Sequence, residues 1–172
     1  MEKRAFVIEW SIPGEQWDKA REAVALHSPL SDYDRRRLGR YYLLYGDVDF
    51  AHAGSRLYGG IYGIKGINVS VMDLSVALAE AYTKEAFAPG RSTTYEQLDD
   101  DLQIQFTTDE DAVHIAATDR SEELVIQRAD FTREVVAFLC SVVAACRREV
   151  GGIMEWESMT PLREFEAMNC GN

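Results

Sequence analysis

Hydrophobic positions along the chain switch repeatedly between a period of two and a period near 3.6, and each switch predicts a change of element. Residues 4–11 (RAFVIEWS) put Phe6, Ile8 and Trp10 on one pleat face and Val7 and Glu9 on the other, which predicts a first strand rich in β-formers. Pro13 suits the first turn of a helix, and Trp17, Ala20, Val24 and His27 follow at helical spacing until Ser28 and Pro29 close the run. A basic cluster, Arg35, Arg36, Arg37 and Arg40, reads as a loop or short helical turn. Residues 41–50 (YYLLYGDVDF) then predict a strand with a bulge at Gly46, and a second strand is expected across a turn around Ala53 and Gly54. Residues 58–72 mix Gly59, Gly60, Gly63 and Gly66 with β-formers and end in the alternation Ile67, Val69, Val71, as a bent or bulged strand would.

Helical spacing returns after Asp73, placed to cap a helix over residues 74–87 whose Leu74, Leu78, Ala81 and Tyr82 share one face, with Ala88, Pro89 and Gly90 as its stop. Residues 93–97, 102–107, 113–117 and 122–128 alternate again, with Leu102, Ile104, Phe106, Val113, Ile115, Leu124 and Ile126 inward, and the connections at 108–111 and 119–121 are short enough for hairpins. The longest helix is expected over residues 131–150, with Asp130 as N-cap and Gly151–Gly152 as C-cap; Phe131, Val135, Phe138, Leu139, Val142 and Cys146 form its stripe. Val136, Ala137, Val143 and Ala144 widen that stripe, so this helix should be packed on several sides. Residues 151–172 read as an extension whose helix starts at Thr160–Pro161 and docks through Leu162, Phe165 and Met168. Together the elements predict an α+β fold: a single domain over residues 1–172, an antiparallel sheet with a β-meander, and helices packed mainly on one face.

Composition adds an asymmetry. Of the net charge of −11, −9 falls within residues 92–130, where Glu96, Asp99, Asp100, Asp101, Asp109, Glu110, Asp111, Asp119, Glu122, Glu123 and Asp130 face only Arg120 and Arg128. A chain this acidic is a poor match for nucleic-acid phosphates or anionic lipid, and a basic protein is the complementary partner. Val135 to Cys146, the longest apolar run, is too short to span a bilayer, and residues 1–4 lead into a strand without a secretory apolar region, so a cytoplasmic protein is expected. Cys140, Cys146 and Cys170 leave an odd thiol, and Cys140 and Cys146 diverge by about 240° around a helix, so no disulfide framework is implied.

Candidate chemistry is sparse. Residues 60–66 (GIYGIKG) carry glycines at phosphate-loop density and a GxxG, but a strand follows where a phosphate cradle needs a helix N-terminus, so bulges or close backbone packing are expected. Asp47, Asp49 and His52 could ligate Mg²⁺ or Mn²⁺, as could Asp109, Glu110, Asp111 and His114; neither set reaches the ligand count of a closed site, and a solvated strand face and a solvated turn are the plainer readings. No GxSxG elbow or HExxH occurs, Cys140 is expected to be an inert thiol in apolar surroundings, and no metal or other cofactor is expected.

The acidic α+β pattern, the segment 68–78 (NVSVMDLSVAL), the hairpin formed by LQIQF (102–106) and VHI (113–115), and the long helix that follows resemble small bacterial immunity proteins of toxin–immunity pairs over residues 58–150. That resemblance implies a non-enzymatic protein that binds a cognate, often basic, toxin domain and occludes or distorts its active site. Such proteins share no binding motif, so the resemblance transfers no residue role. From exposure expected of the meander, the partner surface would comprise Asp99, Asp100, Asp101, Asp109, Glu110, Asp111, Glu122 and Glu123, with Tyr41, Tyr42 and Tyr45 as aromatic anchors. A metal-assisted hydrolase on Asp47, Asp49 and His52, or an adaptor subunit that docks a basic protein without inhibiting it, is the alternative, and a homo-oligomer stays open.

Overall fold

The computed structural model describes residues 6–26, 44–58, 67–97, 102–118, 120 and 122–171. Its elements are β1 (Phe6–Ser11), α1 (Gly14–Leu26), β2 (Tyr45–His52), β3 (Ser55–Arg56), β4 (Ile67–Ser70), α2 (Val71–Thr83), β5 (Ser92–Glu96), β6 (Gln103–Thr108), β7 (Ala112–Ala117), β8 (Glu123–Gln127), α3 (Arg128–Glu149), 3-10 turns at Gly151–Glu155 and Glu157–Met159, and α4 (Thr160–Asn169). The α+β class holds, with two antiparallel sheets in place of the one expected.

In the first sheet β2 is central. β1 runs along one side of it, from Phe6 opposite His52 to Ser11 opposite Asp47, while β3 and β4 pair different parts of its other side. The turn into β3 places Ala53 at φ 50° and Gly54 at φ 94°, the two positive-φ positions that a tight two-residue hairpin requires. Gly46 is not a bulge, for it sits in unbroken register opposite Val69; a Cβ there would stand 2.0 Å from the Ser11 carbonyl oxygen, so glycine is required by the approach of β1's last residue. The second sheet is the meander β5-β6-β7-β8, with Leu102, Ile104, Phe106, Val113, Ile115, Leu124 and Ile126 buried as the alternation demands.

Five of the chain's seven phenylalanines weld the two sheets together. Phe6 and Phe50 of the first sheet, Phe106 of the second, Phe131 of α3 and Phe87 after α2 form one chain of ring contacts, from 4.9 Å between the Phe87 and Phe131 centroids to 6.5 Å between Phe6 and Phe50. α3 continues the same core with Val135, Phe138, Leu139, Val142 and Cys146, and Leu162 and Phe165 of α4 dock from outside. Met168, expected on that docking face, is 61% exposed.

Helix ends depart from the sequence reading. Val71 opens α2 instead of ending β4, because Ser70, not Asp73, is the N-cap: its hydroxyl accepts from the Asp73 N–H at 3.2 Å. α2 stops at Thr83, and the Ala86 N–H returns to the Ala81 carbonyl while Glu85 takes φ 54°. α3 begins three residues early with Gln127 at its N-cap position, so Asp130 lies inside the first turn, where it pairs with Arg133 at 2.6 Å. Its C-cap is Val150, and Gly151 and Gly152 start a 3-10 turn.

Cysteine usage is the sharpest correction. Cys140 of α3 and Cys170, just beyond α4, form a disulfide with Cα atoms 5.5 Å apart, so Cys140 is not a thiol. Cys146, one turn and a half further along α3, is the buried free thiol, and burial pushes its pKa up to about 12.

Candidate functional site

The meander's outer face is polar, as one-sided burial of an antiparallel sheet requires, and it presents Gln103, Gln105, Thr107, Glu123, Val125 and Gln127 to solvent. At one end, the β6–β7 turn is built by Asp109. Its Oδ1 accepts from the backbone N–H groups of Asp111 at 3.0 Å and Ala112 at 2.7 Å, and its Oδ2 lies 3.1 Å from Nε2 of His114. The Ala112 N–H, then His114 and the Asp111 N–H, hold the Asp109 carboxyl below its ordinary pKa.

His114 stands between two carboxylates, with Nδ1 3.2 Å from Oε1 of Glu123. The Asp109 contact, opposed by partial burial and reinforced by the Glu123 charge, raises the imidazole above its usual pKa. Both ring nitrogens face acceptors, so the protonated ring satisfies the arrangement best. Of the expected partner residues, this brings together Asp109 and Glu123.

The others are spread out. Glu110 and Asp111 are exposed on the same turn, whereas Glu122 and Glu123 lie beyond the far end of β7, six residues or about 20 Å away along the strand. The described carboxylates therefore border the outer face from both ends and do not form one cluster. Tyr45 is half-buried in the other sheet, opposite Ser70. Asp99, Asp100, Asp101, Tyr41 and Tyr42 lie outside the described residues, as do the basic cluster at 35–40, His27 and the glycine run at 60–66.

The hydrolase candidate does not assemble. Asp47 and Asp49 share a pleat face, but His52 has the opposite parity on β2 and points the other way. Asp49 is 1% exposed, not on a solvated face: its carboxylate accepts from Arg56 at 2.8 Å and from the Tyr58 N–H at 3.0 Å, and Arg56 also pairs with Glu9 at 2.8 Å. These are the contacts of a structural anchor for the strand after the β2–β3 hairpin. Among the described residues, no three His, Cys, Asp or Glu side chains come together as ligands of one metal ion.

Sequence reasoning missed a cleft of about 400 Å³ between α2 and β5, lined by Asp73, Ala77, Glu80, Tyr95 and Glu96 among others. Its signals were hidden in ordinary patterns, since Asp73 reads as a helix cap and Tyr95 as an inward strand residue. Compared with family models, curated proteins and solved structures, the chain matches none. No helix among the described residues is long and apolar enough to cross a membrane.

Proposed function

We propose that this chain is a non-enzymatic immunity or inhibitor protein that binds a basic toxin domain through its acidic meander. The observation that carries the reading is the unequal display of charge within residues 92–130. Glu96, Asp109, Glu110, Asp111, Glu122 and Glu123 are all exposed, while Arg128 is half-buried and Arg120, also half-buried, lies over the Tyr58 ring at 5.4 Å. Negative potential thus reaches solvent from both ends of the outer face with few local cations to cancel it, which favours approach by a Lys- and Arg-rich surface.

The Cys140–Cys170 disulfide weighs against the cytoplasm expected from the sequence, because such bonds persist in oxidising compartments and are rare in reducing ones. A compartment where disulfides survive fits the protein better.

Co-expression with the product of the adjacent reading frame tests the function. The expected result is that the neighbour arrests growth, that this chain relieves the arrest, and that the two co-purify at low salt. A neighbour that is neither toxic nor bound by this chain overturns the proposal.

A further inference from the structure

The cleft between α2 and β5 combines features that a plain surface depression lacks. On one wall Asp73, 7% exposed, occupies the first turn of α2; on the other Tyr95, 4% exposed, points inward from β5. The Tyr95 hydroxyl is buried and makes no hydrogen bond among the described residues. The Asp73 carboxylate and the Tyr45 phenol are near enough that, with burial as the larger cause, they push the Tyr95 phenol to a higher pKa, so it stays a neutral hydroxyl.

Around this polar floor, Ala77, Ala81 and Ala86 give a smooth apolar wall. Glu80 and Glu96 stand at the rim, paired with Lys84 at 2.7 Å and Gln103 at 3.1 Å respectively. Three carboxylates and one lysine thus line a cleft whose volume lies in the range of small-molecule sites. A buried hydroxyl without a partner is normally satisfied by something, and here it opens onto an anionic cavity.

We propose that this cleft receives the guanidinium end of an arginine side chain from the basic partner. The planar fork donates to the Asp73 carboxylate and to the Tyr95 hydroxyl oxygen, and the aliphatic stem lies along the three alanines with Glu80 and Glu96 at the entrance. This deepens the function proposed above and rests on it for the source of the arginine; recognition of the guanidinium by the cleft is testable without any partner.

The probe is N-acetyl-L-arginine amide, titrated into the full chain and followed by backbone amide shifts, with the isosteric and neutral N-acetyl-L-citrulline amide as control. Saturable shifts at Asp73, Ala77, Glu80, Tyr95 and Glu96, with citrulline at least tenfold weaker, are expected. Tyr95→Phe is expected to weaken arginine binding about tenfold, the worth of one hydrogen bond to a charged group, while leaving the melting temperature unchanged or higher because an unsatisfied hydroxyl is gone. Glu80→Gln with Glu96→Gln keeps the buried floor intact, so its expected weakening does not depend on Asp73 variants folding. Equal binding of citrulline, shifts centred on Glu110 and Asp111, or affinity untouched by both variants overturns the proposal. If arginine binds as expected and no basic partner does, the cleft stands and the immunity reading falls.

Discussion

At the scale of single residues, charge performs two different jobs, and exposure separates them. Asp49 is buried and serves the fold, so Asp49→Ala should strand the Tyr58 N–H and leave Arg56 with only Glu9. A loss of about 2–4 kcal/mol is expected, read as a lower urea midpoint at unchanged slope. His114 carries the pH dependence of the outer face. Its pKa is raised in the folded state, so its protonation stabilises the protein fully below about pH 6.5, the unfolded value, and that contribution fades as pH rises through the folded value. Asp109 behaves oppositely: its lowered pKa gives stability above about pH 3.9, lost as pH falls through the folded value. Wild type should therefore lose more stability than His114→Gln between pH 5.5 and 8.5 in parallel denaturation curves; identical losses would remove the imidazole from the account. None of this was legible beforehand. A sequence shows that Asp109 and His114 are five apart, but only hairpin register brings Glu123 to the other side of the ring.

At the scale of elements, the two strand-and-helix periods were readable because burial imposes them, and the strands of the meander fall within a residue or two of their expected bounds. What failed were the ends and the joints, which depend on contacts between elements. Gly46 is the clearest case. Glycine in a strand signals either a bulge or a close backbone, and only the position of β1 decides between them. Gly46→Ala should force the end of β1 off β2 and reduce stability by roughly 2–4 kcal/mol, measured by thermal or urea unfolding. The disulfide failed for the same reason: Cys140 and Cys170 are 30 residues apart and meet only because α4 packs back on α3. Closing a loop of that length should contribute about 3–4 kcal/mol, so the double change Cys140→Ala, Cys170→Ala should lower the unfolding free energy by that amount. Protein purified without reductant and then denatured should titrate one thiol, Cys146; three would mean the bridge does not form.

At the scale of the whole molecule, the split into two sheets could not be read from the strand pattern, because alternation specifies which face is inward and not which strands share hydrogen bonds. The phenylalanine cluster is the device that makes one core of both sheets. The charge asymmetry, by contrast, was fully visible in sequence, and the structure refines how it must be tested. Reversing Asp109 would break the turn it builds, so a binding defect there would mix folding with recognition. Glu110, Asp111 and Glu122 are exposed, and no hydrogen bond or ion pair of their carboxylates is recorded among the described residues, so they report charge alone. Changing all three to Lys moves the net charge by +6, from −11 to −5, and each change should alter stability by no more than about 0.5 kcal/mol. Solvated carboxylates at the edges of a binding face steer approach through a field that extends about 10 Å at 0.1 M salt, while the contacts that hold a complex lie in its desolvated centre. With the basic partner, the triple variant should therefore associate at least about tenfold more slowly at low salt and dissociate at a nearly unchanged rate, and the deficit should shrink steeply as salt rises. Stopped-flow measurement of both rate constants at low and high salt decides it. An association rate indifferent to salt and to all three reversals would leave the acidic meander as a device for solubility, and recognition would have to be sought elsewhere on the molecule.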